Sequence, residues 1–411
     1  MTLARAACPL EGANRRRPNA LVIKCARSLL LLMPAFAMAM PTLAQERVPT
    51  PAAEQTPGRD PRLSDSQEPG SVIVFPKFAR GTQTVDGVVL PATEVEVGVV
   101  CPNGAICPEH QPVKIRFHWV CPGLQLFETK LICRENDFDV FATVNGKVVF
   151  NPENMTITGS NAVNVAQPPC PMGYLIGFVI NTSDQPIKYD GLIGDAVIRE
   201  SSTAVSAYNA IPIQAANDAA ATGTLITTVP DPLTGLPLLA FDGADNHYKA
   251  VTGVVIGDVK FSNRPASAGF PIASDSFLIL LTLDVRSDFP NYPTEVNVDF
   301  WNESNALSPT SPLFEKLLST SLEFVCWQQL PLTGIDPNLT QTQMGTRKGV
   351  FRSSPATKFP FAGISDITGP VTLLGLVETL EGPAAAPSSR SYFSAVYNDS
   401  VPVRTFFLPE N

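Results

Sequence analysis

Histidine is nearly absent: His110, His118 and His247 are the only three in 411 residues. So little imidazole leaves little scope for general-base or metal chemistry. Charge is also sparse, at 16% Asp, Glu, Lys and Arg, with a net of −9. Local catalytic signatures are missing: the chain has no H-E-x-x-H, no P-loop and no G-x-G-x-x-G. The nearest approach to a nucleophile elbow, Gly363-Ile364-Ser365-Asp366-Ile367, lacks its second glycine. Long apolar runs are lacking as well. Past the N-terminal region the strongest is residues 277–283 (FLILLTL), which has the length of a strand rather than a membrane span.

The N-terminus carries a basic flank (Arg15, Arg16, Arg17, Lys24, Arg27) and then an apolar stretch at residues 29–39, LLLLMPAFAMA. Pro34 and Pro41 interrupt it, and it is short for a bilayer. With Thr42-Leu43-Ala44 before Gln45 it reads as a signal peptide over residues 1–44, cleaved after Ala44. The arginine cluster leaves the twin-arginine route open. Six of the 29 basic residues and one of the 38 acidic residues would leave with it, so the mature chain has 23 against 37, a net of −14. Nucleic acid and anionic lipid both demand a basic face, so neither is an expected partner. No integral membrane segment is expected after cleavage. The expected destination is secreted, periplasmic or at the cell surface.

An oxidising destination changes the meaning of cysteine. Cys101, Cys107, Cys121, Cys133, Cys170 and Cys326 remain after cleavage, an even number read first as disulfides. Cys101 and Cys107 bracket the turn Pro102-Asn103-Gly104, and Cys121 and Cys133 bracket a loop that starts Pro122-Gly123. Elimination leaves Cys170 with Cys326. The competing reading is zinc held by Cys101, Cys107, His110, His118 and Cys121, but C-x5-C-x2-H is not a standard finger spacing. No metal site or cofactor is expected apart from calcium, for which the small acidic loop of Asp242, Asp245 and Asn246 is the candidate.

Residues 45–70 are rich in Pro, Asp, Glu, Gln and Ser and are expected to be a disordered spacer. From Ser71 the pattern switches to period two. The segment 71–75 (SVIVF) reads as a strand stopped by Pro76, and 94–99 alternates acid with valine. Val113, Ile115, Phe117 and Trp119 share one face of the next strand, with Lys114, Arg116 and His118 on the other. Asn145-Gly146 between residues 138–144 and 147–150 is a strong hairpin signal. Further strands are expected at 174–181, 192–199, 254–261, 277–285, 294–301, 322–327, 371–378 and 392–398. The one good helix candidate is 312–319, PLFEKLLS.

These elements predict a mainly β protein. Two β-sandwich-like halves, immunoglobulin-like or jelly-roll-like, are expected at 71–200 and 251–411. Residues 201–250 join them as a connector with long loops and one edge strand. A weak echo, TEVEV at 93–97 and TEVNV at 294–298, raises a duplication, and Gly194 and Gly257 stand as candidate bulges.

Function is the least legible property. The first reading is an exported, non-enzymatic protein with a structural or binding role at the cell surface or outside the cell. The alternative is a carbohydrate-binding module or glycan-active hydrolase on the same scaffold. Trp301, at a strand end, is the candidate stacking platform for a glycan. Asp299, Glu303 and Glu378 are candidate carboxylates for glycoside cleavage, which leaves no local motif.

Overall fold

The computed structural model describes residues 62–407 apart from 123, 127–129, 156, 160–165, 201–204, 232–234, 252, 264–271, 287–289, 303–316, 359–368, 384–388 and 395–405. The expected signal peptide and most of the expected spacer lie outside the described residues. Nearly all regular structure is antiparallel β. Two five-stranded sheets come first in the chain. One has the order Ile211–Ile213, Val72–Ala79, Met172–Ile180, Pro112–Val120 and Glu135–Thr143. The other runs Ile157–Thr158, Gly146–Phe150, Thr93–Val99, Leu192–Arg199 and Val205–Asn209.

These two sheets face each other. Phe117, Trp119 and Phe138 on the first meet Phe150 on the second, with the Phe117 and Phe150 ring centres 5.2 Å apart. The alternation expected at 94–99 is there: Val95, Val97 and Val99 are buried, and the residues between them are half-buried. Gly194 is not a bulge, because its strand keeps an unbroken register with Thr93–Val99. A Cβ there would lie 2.9 Å from the Phe75 ring and 2.7 Å from the Glu96 carbonyl, so close approach of the facing sheet requires glycine. Gly257 likewise sits in an unbroken register with Phe351.

A second pair of sheets follows. A six-stranded sheet is built around Thr294–Asn302, flanked by Lys348–Ser353 and Leu317–Phe324. A four-stranded sheet has the order Trp327–Pro331, Ile272–Leu281, Leu374–Pro383 and Ser389–Ser394. Leu278, Leu280 and Val377 of the four-stranded sheet pack with Val296, Val298, Phe300 and Phe351 of the six-stranded one. Ile279, Leu281, Leu374 and Leu376, on its opposite face, belong to the core of the first pair. The two sheets that meet there are the middle layers, and the four-stranded one is covered on both faces, which is why 277–283 is a continuous apolar run. The two cores lie within one compact unit, residues 57–411.

Several expectations need correction. The 71–75 strand does not stop at Pro76: it runs to Ala79, with a register shift between Phe75 and Phe78 that accommodates the proline. Asn145-Gly146 does not close a hairpin. The strand before it pairs with Pro112–Val120 and the strand after it with Thr93–Val99, so the turn carries the chain from one sheet to the facing one. A two-residue type I′ turn needs positive φ at both positions, and here only Asn145 has it, at 60°. The hairpin of that type is Asp86-Gly87, with φ of 49° and 80°, joining Thr82–Val85 to Val88–Pro91. Leu317, Leu318 and Ser319, read as the end of a helix, are strand residues paired with Thr294–Asn302; residues 312–316 lie outside the described set. Among the described residues helix is confined to two single turns, Leu332–Ile335 and Gln341–Met344. No helix there is long and apolar enough to cross a membrane.

The end of the expected spacer is structured. Gln214, almost fully buried, accepts from Asp65 N and Ser64 Oγ and donates to the carbonyls of Asp65, Glu68 and Pro69. Leu63 is buried, and Ser64 N donates to Ala250 O. Composition reads this segment as spacer because its partners lie about 150 residues away.

Candidate functional site

The six cysteines past residue 44 lie at disulfide distance, in pairs that only partly match the expected ones. Cys101 meets Cys107 as expected, with Cα atoms 5.8 Å apart. Cys121 meets Cys170 and Cys133 meets Cys326, instead of Cys121 with Cys133 and Cys170 with Cys326. Sequence proximity misled here. Cys121 follows Pro112–Val120 and Cys170 precedes Met172–Ile180, and those strands are antiparallel neighbours, with Val120 opposite Tyr174. Adjacent strand ends bring those two sulfurs together. The pairing also removes the thiols from the zinc reading. Among the described residues no three His, Cys, Asp or Glu side chains are grouped to hold a metal ion.

The short Cys101–Cys107 loop forms one wall of a groove of about 930 Å³. Its floor is Lys188, Tyr189 and Asp190, and its far wall runs from Asp218 to Gly223. The floor is held rigidly. Ser71 Oγ donates to Asp190 Oδ1 at 2.7 Å, and Ala215 N donates to the same oxygen at 2.8 Å. Burial raises the Asp190 pKa, and these two hydrogen bonds with the nearby Lys188 and Lys249 charges oppose the rise. Lys188 Nζ donates to the carbonyls of Asn217 and Asp218, tying floor to wall. Lys249 Nζ sits 2.9 Å from Asp218 Oδ1. At the rim Ile106 is 97% exposed, an unusual place for an isoleucine. Sequence reading found this loop as a crosslink and missed the groove, whose walls come from segments 101–107, 187–190 and 214–223.

Trp301 lies half-buried on the outer face of the six-stranded sheet, back to back with the buried Phe300. Val350 lies opposite it on the neighbouring strand, and Asp299 lies opposite Arg352 and Ser319. Ser319 Oγ donates to Asp299 Oδ1, and Ser321 Oγ to Glu295 Oε1. Among the described residues this outward face carries no covering strand. The candidate carboxylates are dispersed: Asp299 is on it, Glu378 is buried in the neighbouring four-stranded sheet, and Glu303 lies outside the described residues. The acidic loop is closed by its own hydrogen bonds. Asp242 Oδ1 accepts from Ala244 N at 3.0 Å and faces His247 Nδ1 at 2.8 Å, while Asp245 and Asn246 are exposed.

Two buried polar clusters were not foreseen. His118, expected on a polar strand face, is fully buried beneath the Phe178 ring, with Nδ1 against Glu135 Oε1. Burial, with the neighbouring Arg116 charge, pushes its pKa down to about 3, so the ring is neutral at pH 7. Nearer the surface of the same face, Asp139 pairs with Arg116 and Lys114 at 2.9 and 2.8 Å. Burial alone would raise the Asp139 pKa; the two ion pairs outweigh it and lower it.

The second cluster centres on Lys77, where three sheets meet. The register shift at Pro76 turns its side chain out of the first sheet and into the junction with the four-stranded one. Trp327 Nε1 donates to Pro76 O, and the Tyr208 hydroxyl donates to Lys77 O, which fixes the bulge. Lys77 Nζ lies 2.6 Å from Glu378 Oε2 and 2.6 Å from Glu200 Oε1. Gln329 Nε2 donates to the same Glu378 oxygen at 3.1 Å.

No protein-family model and no curated protein sequence matches this chain. Functional argument therefore rests on these sites alone.

Proposed function

We propose that this is an exported, disulfide-braced β-sandwich protein that binds a partner at the cell surface or outside the cell. The groove beside the Cys101–Cys107 loop carries the reading: a concavity of about 930 Å³ with a rigid floor and an exposed isoleucine at its rim. The leader at residues 1–44 and six cysteines at pairing distance support export. A second reading, a glycan-binding module, is favoured by Trp301 beside Asp299 and Arg352 on the open sheet face.

One experiment separates the two. The purified wild type, Ile106→Asp and Trp301→Ala are applied to matched peptide and glycan arrays. Loss of binding with Ile106→Asp alone supports the groove. Loss with Trp301→Ala alone supports the glycan platform. Binding that survives both substitutions rules out both surfaces. Export is tested separately by the mass of the N-terminal peptide from the extracytoplasmic fraction, expected to begin at Gln45.

A further inference from the structure

We propose that Lys77 and Glu378 are joined by an intramolecular amide bond, formed by the protein itself with Glu200 as the proton carrier. The observation behind this is the juxtaposition of a buried amine, a buried acyl carbon and a second carboxylate. The Lys77 side chain is 1% exposed, that of Glu378 is 0% and that of Glu200 is 24%. Both carboxylates reach the same nitrogen at 2.6 Å. Strands of the two sheets hold the amine nitrogen 2.6 Å from a carboxyl oxygen of Glu378, which removes much of the entropic cost of bringing the two groups together.

Environment favours the product. A buried ion pair keeps a desolvation cost that its Coulomb attraction offsets only in part, whereas an amide and a released water carry no net charge. Glu378 is the acyl donor because its carboxylate is the deeper of the two and Gln329 Nε2 polarises it. Glu200, with an edge to solvent, is the carrier. It takes one proton from the Lys77 ammonium, and the freed lone pair attacks Cδ of Glu378. The N–C bond forms, and one Glu378 oxygen leaves as water after receiving that proton back from Glu200 and a second from the nitrogen. One ammonium and one carboxylate become one amide and one water, and Glu200 ends as it began. No oxidant, reductant or cofactor is consumed.

The bond would link residues 301 apart in sequence and tie the two middle sheets together. Its test is the mass of the full-length protein after reduction and denaturation, with a peptide map. The expected result is a chain lighter than its sequence by one water, with the peptide containing Lys77 linked to the peptide containing Glu378. Glu200→Gln is expected to accumulate the full-mass form, and Glu378→Gln to form the same link with loss of ammonia in place of water. A wild-type chain of full mass, with Lys77 recovered as a free amine open to acylation once unfolded, overturns the proposal. That readout uses the wild type alone, so a variant that fails to fold does not obscure it.

Discussion

Strands of the outer sheets and strands of the middle sheets obey different rules. Thr93–Val99 and Thr294–Asn302, each central in an outer sheet, alternate buried with half-buried or exposed residues. Val72–Ala79 and Met172–Ile180, in a middle sheet, are buried at almost every position. An outer strand has water on one side and can place a charge there freely. Val72–Ala79 and Met172–Ile180 have protein on both sides, so a polar residue there needs an internal partner, whereas Glu135–Thr143 at the edge of the same sheet alternates again. Lys77, His118 and Glu378 are buried polar residues, and each meets an oppositely matched group from another strand. The Lys77–Glu378 contact therefore helps specify which layers meet, His118 and Glu135 tie neighbouring strands within one sheet, and charges on the outer sheets mainly keep the surface wet.

The largest effect should come from breaking a polar pair between the middle sheets. Glu378→Ala removes the group that ties Lys77 to the four-stranded sheet, leaves Glu200 at 2.6 Å, and is expected to cost toward the low end of about 3–5 kcal/mol in urea unfolding. If the variant matches the wild type, the junction contributes nothing to holding the layers. Next comes the Cys133–Cys326 crosslink, which closes a span of 193 residues. Replacing both cysteines with serine should cost about 2–4 kcal/mol. A larger loss from removing Cys101–Cys107 would reverse the expected order, since that pair spans only 6 residues.

A pH series sharpens the comparison further. The folded-state pKa of His118 is depressed to about 3, against about 6.5 in an unfolded chain. Between these values the unfolded chain holds a proton that the folded one does not. Stability should thus fall as pH drops from about 6.5 towards about 3, by up to ~1.4 kcal/mol per pH unit for this one group. His118→Gln keeps a donor for Glu135 and should flatten that slope. Asp139 acts lower: its depressed pKa contributes stability above about 4, lost as pH falls through the folded value, and Asp139→Asn should remove that acid limb.

At the small end is the outer-sheet pair Lys147–Glu96, 2.8 Å apart and open to solvent. Lys147→Ala should leave the melting temperature unchanged, since solvent screens such a pair and ordering its side chains offsets the gain. A clear drop would show that outer-sheet charges contribute more than wetting.

Much of this architecture was legible in the residues. Valine alternation at 94–99, the Phe117–Trp119 face and the apolar run at 277–283 identify strands because period two is a local property of an extended chain. The edge strand expected within 201–250 is Ile211–Ile213, which among the described residues pairs with Val72–Ala79 alone and carries Pro212, a residue suited to an edge. The Asp86-Gly87 hairpin was equally readable, from its turn dipeptide between valines. The groove was not, because its walls come from segments that no local pattern connects.

By itself, then, the sequence determined strand character, the scarcity of histidine and local catalytic motifs, and the spacing of the cysteines past residue 44. Tertiary structure alone decided which cysteines meet, that Asn145-Gly146 joins facing sheets instead of closing a hairpin, and that Lys77 and Glu378 share a buried site. The physical reason is range. Backbone propensity and side-chain alternation act over a few residues, whereas disulfide partners, layer contacts and buried ion pairs depend on which strands become neighbours, and here those lie up to 301 residues apart.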